Sequence, residues 1–175
     1  MAKALRRARL GEWVLSEWTS FLQGELGAAA ALAGLLFVSV SVNQARILEL
    51  GRMADRGLEA LVMLLLVMVA ASLPLVPGQP PRLLGAEILV VGTATLVGLL
   101  PLQRGYLRDI EPVHRRRSVP LVMVNRVAVA LIALAGLVLL WRGDGDGLYF
   151  LATGIVLSFV ATGANAWVLL IEINR

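Results

Sequence analysis

The sequence contains no cysteine, a single histidine (His114) and a single lysine (Lys3) in 175 residues. Without cysteine there are no disulfides, no thiolate metal sites and no cysteine nucleophile. One histidine cannot form the paired-imidazole zinc motif, and His114, set among arginines, reads as a solvated loop side chain. Charge is scarce too: 16% of residues are charged, against roughly 25% in a soluble domain. The hydrophobic share is 58% and the mean hydropathy is +0.80, more apolar character than one soluble core of this length can enclose. His-Glu-x-x-His, Gly-x-Ser-x-Gly and Gly-x-x-x-x-Gly-Lys motifs are also missing. Ser39, Ser41, Ser72 and Ser158 have no histidine at their depth, so an intramembrane serine protease is not supported. The sequence therefore points away from an enzyme and implies no cofactor and no metal.

The chain does contain long apolar runs. Between Glu25 and Arg46 there is no charge. At about 1.5 Å of rise per residue, such a helix crosses a hydrocarbon layer of roughly 30 Å. Four later runs behave alike. The fold class expected is all-α, a polytopic bundle of five transmembrane helices. The spans are about 26–46, 58–75, 83–102, 119–141 and 148–171, in a single transmembrane domain over 25–175. The net charge of +4 and pI near 10.6 do not indicate nucleic acid. The basic residues lie in short clusters between apolar runs, where anionic lipid and the positive-inside bias put them.

Residues 1–24 lack the apolar core of a cleavable signal peptide. Leu10, Trp13, Val14, Trp18 and Phe21 recur at helical spacing behind Lys3, Arg6, Arg7 and Arg9. That pattern predicts an amphipathic interfacial helix; the alternative is a frayed tail. In the first span Gly27, Ala30, Ala31, Gly34 and Ser41 share one side, where small residues let another backbone approach. Pro74 closes the second span, and Pro77-Gly-Gln-Pro-Pro81 predicts a tight turn into the third, making a hairpin. Pro101 is expected to kink or end the third helix. Ser118-Val-Pro120 reads as the opening of the fourth. Arg142-Gly-Asp-Gly-Asp-Gly147 is too short for a calcium loop and reads as a turn. In the fifth span Gly154, Ser158, Ala161, Thr162, Asn165 and Glu172 fall on one stripe, a buried helix face. Gly27, Ala31, Gly34, Gly154, Ser158 and Thr162 are thus the expected packing residues.

Five alternating spans bring Asn43, Arg46, Glu59, Asn125, Arg126, Asn165 and Glu172 to one membrane face. The other face offers Glu25 and Glu87 at comparable depth. Apart from the N-terminal tail, Arg46, Arg52, Arg56, Arg104, Arg108, Arg115, Arg116, Arg117 and Arg175 lie on the polar side, against Arg82 and Arg142 on the other. The positive-inside rule then places the C-terminus in the cytoplasm and the N-terminus outside; the basic tail argues the other way. Arg126, about 9 Å inside its helix, costs roughly 2.5–3.5 kcal/mol when deep in a bilayer and is expected to pair with Glu59 or Glu172. The polar group either joins helices or lines a cavity for an ion or small polar ligand.

Ala33 to Leu48, Ala-Gly-Leu-Leu-Phe-Val-Ser-Val-Ser-Val-Asn-Gln-Ala-Arg-Ile-Leu, together with Val-Pro-Gly-Gln at 76–79, resembles a family of small uncharacterised bacterial membrane proteins of several spans. The resemblance covers about a quarter of the chain. It implies a multi-span fold in a bacterial cytoplasmic membrane, and no activity or site residue. The function expected is that of an interaction or assembly protein, partnered by the bilayer and by itself or another membrane protein. The alternative is a small channel or transporter.

Overall fold

A computed structural model describes the backbone of residues 2–44, 53–109 and 112–173, and the side chains of 18–44, 55–105, 107–108 and 119–166. The chain forms α1 (Ala2–Val42), α2 (Met53–Ser72), a 3-10 turn (Leu73–Leu75), α3 (Pro81–Asp109), α4 (Pro112–Arg142) and α5 (Gly147–Ile173). There is no strand among the described residues. Five stretches are long and apolar enough to cross a membrane: Trp18–Val42, Asp55–Leu75, Pro81–Gly105, Val119–Arg142 and Gly147–Ala166. The protein is a multi-pass membrane protein, with spans close to those read from the sequence.

Three boundaries differ from expectation. The basic segment 1–24 is not a separate helix, because Ala2–Val42 is one helix of 41 residues, about 60 Å long and twice the hydrocarbon thickness. The side chains of 1–17, on which the amphipathic face was expected, lie outside the described residues. Pro101 does not end α3, which runs on to Asp109. Likewise α4 begins at Pro112 and carries Pro120 in its interior rather than at its opening. Proline removes one backbone donor and crowds the preceding turn; both prolines are solvent- or lipid-facing, where a bend opens away from the core.

The connections follow turn chemistry. Ser72 hands α2 to the 3-10 turn around Pro74, and the Val76 N–H donates to Leu73 O at 3.2 Å. Gly78 then takes a φ of 71°, a conformation costly for a residue with a Cβ. Gly143 does the same at the end of α4, with a φ of 66°, and its N–H closes on Leu139 O at 2.9 Å. Arg142 and Asp146 pair at 2.7 Å across that turn. Asp144 Oδ1 accepts from the Asp146 N–H at 3.3 Å, so the aspartates serve the turn.

Packing is organised by seams of 3-4 spacing, the hallmark of left-handed bundle packing. On α1 the buried residues Leu22, Ala29 and Leu36, with the half-buried Leu26, Ala33 and Val40 between them, face the bundle. On α5 the buried series is Leu148, Leu151, Ile155, Ser158, Thr162 and Asn165. Half of the α2 span is buried, against 11% of the α1 span; α2 is the central helix and α1 a peripheral one. Glycines bring α3, α4 and α5 to backbone contact. A Cβ on Gly136 would lie 2.7 Å from Gly85 O, and one on Gly85 would lie 2.8 Å from Gly136 O. A Cβ on Gly147 would lie 2.7 Å from Ala135 O, and one on Gly154 would lie 3.0 Å from Ala128 O.

The expected face of α1 does not pack within the chain. Gly27 and Gly34 have nothing within 4 Å of a Cβ position, and Ala31 is exposed. The line that turns inward is instead Leu22, Leu26, Ala29, Ala33, Leu36 and Val40. At the start of the α1 span stands Trp18, whose ring is edge-on to Phe21 at 5.9 Å and to Tyr149 at 5.0 Å.

Candidate polar site at one end of the bundle

Three helix starts and ends meet at the face where the sequence concentrates polarity. Glu59 lies one turn into the α2 span, Gln103 at the end of the α3 span, and Asn125 and Arg126 about two turns into the α4 span. All but Arg126 are 1% exposed, and Arg126 is half-buried. Glu59 Oε1 accepts from Gln103 Nε2 at 2.7 Å and from Asn125 Nδ2 at 2.7 Å. Gln103 Oε1 in turn accepts from Arg126 Nε at 2.8 Å. The glutamine therefore stands between cation and carboxylate, donating to one and accepting from the other, and couples α2, α3 and α4 in one chain of bonds. Charge-assisted bonds of this length are among the stronger ones. In a low-dielectric interior each donor removed leaves its partner at full desolvation cost.

The residues expected here do not all behave alike. Glu59, Asn125 and Arg126 are brought together. Arg126 does not meet Glu59 directly; its acceptor is Gln103, a residue that the expected end of the third span at Leu102 left in the loop. The signal that could have found it is the glutamine's position one residue past that end, in a helix that Pro101 does not stop. Asn43 bonds locally: its Nδ2 donates to Ser39 O of its own helix at 2.9 Å. Arg46 and the Glu172 side chain lie outside the described residues, so pairing of Arg126 with Glu172 does too.

Asn165 is 3% exposed and Thr162 is 4% exposed, both on the inner seam of α5. Ser158, on the same seam, donates back to Gly154 O at 2.8 Å, as Thr93, Thr95 and Thr153 do to carbonyls four residues earlier. Thr162 does not. Among the described residues, four side-chain atoms are buried without a hydrogen-bond partner: Asn125 Oδ1, Thr162 Oγ1 and Asn165 Nδ2 at this end, and Gln79 Oε1 in the hairpin turn. At the opposite membrane face polarity is thinner: Gln79, in the hairpin turn, donates to Glu87 on α3.

The polar end holds a carboxylate, a guanidinium and three amides, which suits hydrogen bonding and helix registration. Among the described residues no group of three His, Asp or Glu side chains is arranged to hold a metal ion. No family model, curated protein or solved structure matches the chain.

Proposed function

We propose that this is a membrane assembly protein that associates with a second copy of itself through the outer face of α1. The observation that carries the reading is the contrast in how small residues are used. Gly85, Gly136, Gly147 and Gly154 stand at backbone contact inside the bundle. Gly27 and Ala31, at the small-x-x-x-small spacing that lets membrane helices approach, and Gly34 one turn further on are open on the least buried span. Leu35, Phe37 and Val38 rim them, exposed by 68%, 64% and 59%. One patch on one helix is self-complementary under a two-fold axis, which suits a symmetric pair. The bilayer is the bacterial cytoplasmic membrane in this reading, with the polar end and the C-terminus toward the cytoplasm, as the nine-to-two arginine bias supports.

The absence of cysteine makes the test clean. Ala31→Cys in native membranes should form a disulfide-linked dimer on mild oxidation, while Val97→Cys, equally lipid-facing on α3, should not. Equal crosslinking at the two positions, or none at Ala31→Cys, removes the reading; a product of other mass at Ala31→Cys replaces self-association by a different membrane partner.

A second reading, a small channel or transporter, is favoured by one observation: Glu59, Gln103, Asn125 and Asn165 put buried polar side chains from four helices at the same end. Flux of an ion or polar solute into proteoliposomes that Asn165→Leu abolishes would support it.

A further inference from the structure

Two contacts fix the register of α4 against α5. Gly147 faces Ala135 O and the Leu139 side chain; Gly154 faces Ala128 O and the Ile132 side chain. Between these contacts α5 advances by seven residues and the antiparallel α4 steps back by seven. One further step of seven brings Asn125 to the place held by Leu139 and Ile132, opposite Ala161, which is fully buried. Ser158, Thr162 and Asn165 surround Ala161 on the α5 surface, one turn before it, beside it and one turn beyond. The unpartnered Oδ1 of Asn125, Oγ1 of Thr162 and Nδ2 of Asn165 therefore belong to one patch of the seam. Its deep end touches Glu59, to which Asn125 donates.

We propose that a short file of water molecules occupies this patch and connects the Glu59 carboxylate to the membrane face at which α5 carries Asn165. The chemistry of the three atoms selects the occupant: an acceptor, a donor and a hydroxyl that is both match an amphoteric molecule. A cation meets the Asn165 N–H donor, and an anion meets Asn125 Oδ1 and Glu59. The seam is narrow, being built on glycine and alanine at backbone contact. From Asn165 to Ala161 it is one helical turn, about 6 Å, room for two or so waters, each of which takes two to four hydrogen bonds from buried polar groups. Beyond Glu59 the way is shut by Met63, Val67, Ile132 and Ile155, all fully buried. The file is one-sided: it wets a carboxylate inside the bundle without opening a path across the bilayer. This inference does not depend on self-association through α1.

Radiolytic hydroxyl-radical labelling of the full-length protein in lipid nanodiscs tests it, because bound water generates the radical in place. Val122, 2% exposed and one turn from Asn125, should be labelled, and Ile155, fully buried past the deep end, should not. In Thr162→Val with Asn165→Leu the Val122 label should fall to background, and Thr162→Ser should retain it. The melting temperature supplies an independent sign. Thr162→Val should lower it if the hydroxyl has a water partner to lose, and raise it if that hydroxyl is truly unbonded. Val122 and Ile155 labelled alike or not at all, labelling that survives the double variant, or a raised melting temperature in Thr162→Val each overturn the proposal. The contrast between Val122 and Ile155 in the unsubstituted protein decides the matter even if the double variant fails to fold.

Discussion

α1 and the α3–α4–α5 seam are made from the same kinds of residue, and they use them in opposite ways. In the seam, glycine and alanine bring backbones to contact distance; a Cβ at Gly85 or Gly136 would overlap the carbonyl of the other. On α1 the contacts are made by Leu22, Leu36 and the alanines between them, and the glycines look outward. Lipid offers no hydrophobic gain for burying a leucine, so helix association in a membrane rests on close packing and hydrogen bonds. The seam has both, since the Glu59–Gln103–Arg126 chain closes its polar end. α1 has a mixed leucine and alanine line and an edge-on aromatic cluster at Trp18. A small residue therefore marks a place where a backbone can come close, and only the surrounding large residues decide which neighbour comes.

The sharpest way to break this contrast is to fill a glycine on each side of it. Gly136→Leu should destabilise by about 3 kcal/mol or more, the upper range for overpacking, because Gly85 backbone has nowhere to move. Gly34→Leu should leave the unfolding of the monomer within about 0.5 kcal/mol, as for a site with no neighbour, while abolishing the Ala31→Cys crosslink. Reversible unfolding in mixed micelles measures both, and equal losses would erase the distinction between the two regions.

Next in size is the polar end. Gln103→Leu leaves a buried carboxylate and a half-buried guanidinium each short of a partner, and should cost about 1–3 kcal/mol. A double-mutant cycle of Gln103→Leu with Arg126→Ala should show a coupling of at least about 0.5 kcal/mol, as for residues in one network. Additive losses would mean that the Arg126–Gln103 bond contributes nothing to stability. The effect is also small at the exposed Arg142–Asp146 pair: Arg142→Ala should change stability by less than about 1 kcal/mol, and a larger loss would assign the turn a structural weight that its solvent exposure does not support.

Legibility differed from residue to residue. The five spans were readable because a membrane imposes a length: each needs about twenty apolar residues, and the charged residues between them mark the ends. Glu59, Asn125 and Arg126 could be placed at one level because helix rise converts residue number into depth. Gln103 was lost because Pro101 suggested a helix end, whereas one missing donor on an outward face does not stop a helix whose other face is packed. Asn43 shows a second local choice that depth does not reveal. Its depth suited the cluster, but an amide at a helix end has its own carbonyls in reach and bonds to Ser39 instead.

The order of apolar and polar residues along this chain was enough to determine that it has five spans apolar enough to cross a membrane and that Glu59, Asn125 and Arg126 stand at one level. Both follow from the cost of placing charge in hydrocarbon, which is a property of each residue and its position along a helix. Which side of α1 turns inward, that Gln103 mediates between Arg126 and Glu59, and that Gly147 and Gly154 meet α4 at Ala135 and Ala128 were decided only by the tertiary structure. Those outcomes depend on the rotation and register of one helix against another, set by steric fit between residues far apart in sequence.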